Sequence, residues 1–175
     1  RETDELPSTE ETLLDYEKRG ALKLGFNTII TIGVGFVKEN KVYVKSIVGT
    51  EEEVIKEFFN ITQTFKFISG YNILGFDLPI CNYNGSKYFD VTEHINNSFN
   101  VSGAKPWTVP NIVDLMDIVK GTFYGIPSFE EVLYHYDLPS SKDDISGADV
   151  SRVYYAEGID RIEDYVKKDV FASIQ

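Results

Sequence analysis

The sequence predicts an α/β sheet with helices packed on it, and three observations carry that prediction. Residues 28–37, TIITIGVGFV, are β-branched and apolar, and after a turn residues 42–48 alternate between two faces. A threonine followed by three glutamates then has the form of a helix start. Residues 160–175 place Ile162, Val166 and Val170 at helical spacing, so strands and helices follow one another along the chain.

Each element has its own local reason. The run from Thr28 to Val37 suits a buried strand. Glu39-Asn40-Lys41 is a turn, and Val42, Val44, Ser46 and Val48 alternate with Tyr43, Lys45 and Ile47, which makes the pair a hairpin. Thr50 is the expected N-cap of a helix reaching Phe59 or Thr62. Phe65 to Ser69 predict a short buried strand, and Pro79 is expected to close the segment that follows, leading into a loop-rich section with Gly85, Gly103, Pro106 and Pro110. Asn111 to Met116 predict one more strand, Ser128 caps a helix from Phe129 towards His135, and Asp160 opens a last helix to Gln175. Gly33-Val34-Gly35 lacks the third glycine and the following helix of a dinucleotide fingerprint and is a glycine-tolerant strand.

The bulk numbers bound the function. At 175 residues, 42% hydrophobic, the chain has the length and apolar content of one folded domain. No apolar run approaches the roughly 20 residues that span a bilayer, and no signal-peptide pattern opens the sequence. The expectation is a cytoplasmic protein, not secreted and without a membrane partner. Cys81 is the only cysteine, which excludes an internal disulfide and a cysteine-based zinc cluster. A net charge of −11 argues against non-specific coating of nucleic acid, yet leaves open chemistry in which carboxylates hold divalent cations against a phosphate.

Two segments concentrate the chemistry. In residues 70–79, GYNILGFDLP, Asp77 stands among Ile73, Leu74, Phe76 and Leu78. An unpaired carboxylate is costly to bury, so Asp77 is either a capping and packing residue or part of a metal site. In the last helix Tyr165 and Asp169 are four apart and share a face. Taken alone, Asp169 also fits a solvated acid or one paired with lysine or arginine.

Asn72-x-x-x-Phe76-Asp77 after a short strand, and Tyr165-x-x-x-Asp169 in a late helix, resemble the second and third motifs of the DEDDy group of 3′–5′ exonucleases. The closer resemblance is to exonucleases related to the proofreading domain of B-family DNA polymerases. Lys105-Pro106-Trp107, Asn111 to Met116, Pro139 to Gly147 and Val153-Tyr154-Tyr155 are similar to that family as well. The resemblance spans about residues 21–175 and leaves 1–20 as an acidic arm or short helix. The family's first motif is Asp-x-Glu on a strand before the hairpin. Here only Glu2-Thr3 matches its tail, with the aspartate expected before Arg1; the alternatives are a first motif in another segment, or one that has been lost.

The resemblance implies a ribonuclease-H-like mixed sheet and two-metal-ion hydrolysis of phosphodiesters at the 3′ end of single-stranded DNA, in replication or repair. It implies two Mg²⁺ or Mn²⁺ ions on Asp77, Asp169 and Glu2, with Asp77 held by a strand end and the start of a helix, and Tyr165 orienting the attacking water. Asn72 and Phe76 are implied to meet the substrate strand, although Phe76 also reads as a core residue. Asp114 is equally a further acid near the site or a buried, hydrogen-bonded carboxylate. Two other readings stand beside this one: a non-catalytic module of the same fold that binds nucleic acid or a replication partner, and a 3′–5′ exoribonuclease, because the choice of DNA or RNA rests on contacts to the 2′ position.

Overall fold

The computed structural model describes residue 20 and residues 25–91, 111–122, 124–142 and 145–175. Glu2 and nearly all of the expected arm over 1–20 lie outside the described residues. Strands β1 (Thr31–Lys38) and β2 (Lys41–Val48) form the expected antiparallel hairpin, with Thr31 opposite Val48 and Lys38 opposite Lys41. Glu39 and Asn40 turn the chain with φ of 51° and 60°. Two successive left-handed residues match the twist of the flanking strands.

Helix α1 (Glu51–Thr62) starts where its cap predicts. The Thr50 hydroxyl accepts from the Glu53 N–H, while the Glu53 carboxylate accepts from the Thr50 N–H at 2.8 Å. The helix buries Val54, Ile55, Phe58, Phe59 and Thr62, one stripe at helical spacing. With Ile47, Ile73, Leu78, Cys81 and Ile112, this stripe makes the main core.

Strand β3 (Ile68–Gly70) pairs in parallel with β4 (Ile112–Asp114), Ile68 beside Ile112 and Gly70 beside Asp114. The result is a mixed α/β fold with helices on small sheets, consistent with a ribonuclease-H-like arrangement. Among the described residues, however, β1–β2 and β3–β4 are two separate two-stranded sheets, not one mixed sheet. Strand β1 accordingly has one strand neighbour. Its first half is half-buried and its second half exposed, where the apolar run predicts full burial.

Three further expectations change. The segment after Phe76 is helix α2 (Asp77–Gly85), with Pro79 in its first turn, where a missing N–H removes no intrahelical bond. The strand expected over 111–116 stops at Asp114, whose side chain accepts from the Met116 N–H and caps helix α3 (Leu115–Lys120). Helix α4 (Phe129–His135) begins at Ser128 as predicted, but helix α5 (Val150–Glu157) was not anticipated.

Helix α6 (Asp160–Ile174) lies against β1. A Cβ on Gly33 would come within 2.5 Å of Val166 and 2.6 Å of Val170, and one on Gly35 within 2.7 Å of Val170 and Ile174. The two glycines are therefore what admits α6, a stronger reason than tolerance of glycine in a strand. A second small core of Ile145, Val153 and Ile162 joins α5 to α6. Among the described residues no helix is long and apolar enough to cross a membrane.

Candidate active site

The site begins with a turn between β3 and α2. Asn72 has φ of 58°, a left-handed conformation that asparagine accepts more readily than most residues. Its carbonyl accepts from the Gly75 N–H at 3.1 Å and the Phe76 N–H at 2.9 Å. A Cβ on Gly75 would sit 2.3 Å from the Asn72 Oδ1, so Gly75 makes room for that side chain. Asp114 clamps the turn from the neighbouring strand: Oδ1 accepts from the Asn72 N–H at 2.9 Å and Oδ2 from the Leu74 N–H at 3.0 Å. With the Met116 N–H at 3.0 Å, three backbone donors occupy this buried carboxylate. Of its two readings, the structure favours the hydrogen-bonded, architectural one.

The turn ends with Phe76 at the cap position of α2, so Asp77 is the first helical residue. There the helix dipole favours a negative charge. Asp77 is exposed to solvent, although protein packed around its carboxyl removes part of the hydration. That desolvation, opposed by its own backbone N–H and reinforced by the charge of Asp114, pushes the carboxyl up to about 6. Cys81, one turn further on, is buried; burial first and the Asp77 charge second push its thiol up to about 12, far from a reactive thiolate.

The second half of the site is on α6. Tyr165 packs its half-buried ring on the Ile145–Val153–Ile162 core and engages Asp169 by hydrogen bond one turn away. Burial, then the Asp169 charge and this hydrogen bond, raise the phenol above the ordinary tyrosine range, so it is protonated at neutral pH. Asp169 is raised by burial and by nearby Glu130, against the lowering effects of Ser141, Tyr165 and Lys142. Behind it the buried Ser141 hydroxyl donates to Glu130 Oε1 at 2.7 Å and the Ser140 hydroxyl to Oε2 at 2.6 Å. Burial works to raise Glu130, but those hydroxyls and Lys142 outweigh it and hold the acid below its usual value.

Asp77, Phe76 and Asp169 line one cavity of about 1340 Å³ between the two small sheets. Tyr165 belongs to the site through Asp169, and Asn72 makes the contacts that hold the turn. Sequence reasoning gives Glu130 no role, and it places Ser140, Ser141 and Lys142 only within Pro139 to Gly147, a stretch that resembles the family. The capping box at Ser128 and Glu131 marks α4 in the sequence, but nothing local says that Glu130 turns to residues 140 and 141. Among the described residues no group of three histidine, cysteine or acidic side chains is placed to hold a metal ion. Asp77 and Asp169 are hard oxygen donors of the kind Mg²⁺ and Mn²⁺ prefer, and they fit as two ligands of a site rather than as a whole one.

The class so defined is an α/β protein that brings carboxylates from a strand–turn–helix corner and from a late helix to one cavity. The chain belongs to a family described as predicted 3′–5′ exonucleases related to the exonuclease domain of PolB, whose model matches residues 20–173. That membership implies a nucleic-acid substrate, and exonuclease domains of this type generally use divalent metals. No curated protein matches the chain.

Proposed function

We propose that the chain is a metal-dependent 3′–5′ exonuclease that releases nucleotides from the 3′ ends of single-stranded DNA. The observation that supports this reading most is the shared cavity of Asp77 and Asp169, with Tyr165 hydrogen-bonded to Asp169, in a chain of this family. Asp77 and Asp169, with Glu2, are the residues that would hold two Mg²⁺ or Mn²⁺ ions. When bound, such ions activate water and stabilise the attacking and leaving oxygens. The proton of Tyr165 is engaged by Asp169, which leaves the phenol oxygen to accept from the attacking water and aim it at phosphorus. The water oxygen bonds to phosphorus as the bond to the 3′-oxygen of the preceding nucleotide breaks, and that oxygen leaves with a proton. Phe76 offers a face for the terminal base, and Asn72 holds the turn that aims Phe76 and Asp77.

The test is a 5′-labelled oligodeoxynucleotide incubated with Mg²⁺ or Mn²⁺. A ladder shortening from the 3′ end is expected, and Asp77→Asn or Asp169→Asn abolishes it. Tyr165→Phe slows cleavage about 100-fold while leaving Mn²⁺ affinity largely intact. Unchanged cleavage in both aspartate variants would overturn the assignment. Oligonucleotide binding with no cleavage under either metal would make the chain a binding module, and faster shortening of the matching oligoribonucleotide would move the substrate to RNA.

A further inference from the structure

Asp169 meets hydrogen-bond donors from two directions. Tyr165 reaches it from one turn earlier on α6, and the Ser141 hydroxyl reaches it from the segment that follows α4. A lone carboxylate on a helix turns about its side-chain bonds, and donors on two sides hold it in one orientation. Tyr165 is fixed by its own helix and by the core it packs on. Ser141 is buried, at 3% exposure, but residues 138–142 belong to neither helix nor strand, so something else must fix it.

Glu130, in the first turn of α4, supplies the fixing point. Its Oε1 accepts from the Ser141 hydroxyl at 2.7 Å, its Oε2 accepts from the Ser140 hydroxyl at 2.6 Å, and the Ser141 N–H bonds to the same carboxylate. The Ser140 oxygen accepts in turn from the Lys142 N–H at 3.0 Å, which carries the hold one residue further. Charge does not explain an acid at this place, because Glu130 works against the negative charge of nearby Asp169. The donors from two consecutive residues do explain it. Among the described residues, those that line the cavity include Phe129 and Asp169 but not Glu130, Ser140 or Ser141, so this cluster stands behind Asp169 rather than beside a substrate.

We infer that Glu130 is a positioning residue: it fixes residues 140–142 so that Ser141 holds the Asp169 carboxylate in the orientation a metal ion meets. The Ser141 hydroxyl has a single proton for two acids. The Ser140 hydroxyl and the Ser141 N–H keep the segment on Glu130 when that proton turns to Asp169. The inference rests on the reading of Asp169 as a metal ligand and adds the residues that aim it.

The test is Mn²⁺ affinity, measured by electron paramagnetic resonance without nucleic acid, in variants first shown to unfold cooperatively. Glu130→Ala and Ser141→Ala are each expected to weaken Mn²⁺ binding about tenfold. The two together should bind no more weakly than either alone, because both act through one contact. Glu130→Gln keeps an acceptor for the serines without the charge and should lose less than Glu130→Ala. In an Asp169→Asn background neither alanine substitution should change the affinity that remains. Unchanged affinity in Glu130→Ala would overturn the inference. Additive losses in the double variant, or equal losses in Glu130→Ala and Glu130→Gln, would also overturn it, by assigning the effect to charge. Cleavage is read separately: its absence in a wild type that binds Mn²⁺ would sink the exonuclease reading, while the affinities decide this one. A wild type that binds no Mn²⁺ would overturn both.

Discussion

Asp77 is held in a setting that favours its protonated form. Desolvation pushes its carboxyl up to about 6, from 3.8 for a free aspartate. Between those values the native state binds the proton more tightly than the unfolded state, so stability is highest at low pH and falls as pH rises through that window. Solvent on the open side of the carboxyl keeps the effect small, and thermal melting with metal chelated is the suitable measurement. The wild-type chain is expected to lose more melting temperature than Asp77→Asn between about pH 4 and 6.5, and the variant to melt higher at pH 7. Equal slopes would show that Asp77 does not carry this dependence. Asp114 has a structural part instead, accepting hydrogen bonds from three backbone N–H groups. Asp114→Ala is expected to cost about 2–4 kcal/mol in denaturant melts and to speed exchange at Asn72 and Leu74.

At the scale of elements, close approach of α6 to β1 governs where Asp169 stands. Gly33→Ala puts a methyl group into Val166 and Val170, two stiff branched side chains, and is expected to destabilise the chain by about 1–3 kcal/mol. Because the displaced helix carries Asp169 and Tyr165, cleavage should fall with it; full activity at unchanged stability would mean that α6 moves freely. The hairpin, α1, α4 and α6 were legible in the sequence because each announces itself locally, by a turn, a capping box or a stripe at helical spacing. Helix α2 was legible only as a helix start at Asp77, because Pro79 reads as a stop unless it is known to occupy a first turn. Strand β4 was read too long because the capping bond of Asp114 interrupts an otherwise strand-like run. The burial of β1 was misjudged because a strand's burial depends on what lies beside it, and no local signal reports that.

Across the whole molecule, the candidate site was legible where spacing alone places residues, as in Tyr165 and Asp169 one turn apart, and where an acid sits against its apolar surroundings, as with Asp77. Glu130 and Ser141 were not, because their partners come from other segments and only the fold makes them neighbours. Acid repulsion in a chain of net charge −11 gives a further expectation. Millimolar Mn²⁺ should raise the melting temperature of the wild type by more than that of Asp77→Asn or Asp169→Asn, and equal shifts in all three would place the cation elsewhere. The contact between α6 and β1 also bears on how the chain is made. During synthesis at about 5–20 residues per second, on the order of ten seconds separates the hairpin's appearance from that of α6. For that interval Gly33 and Gly35 form an uncovered groove on a nascent strand. The clearance that lets the last helix seat is thus also strand surface that the unfinished chain leaves uncovered until α6 has been made.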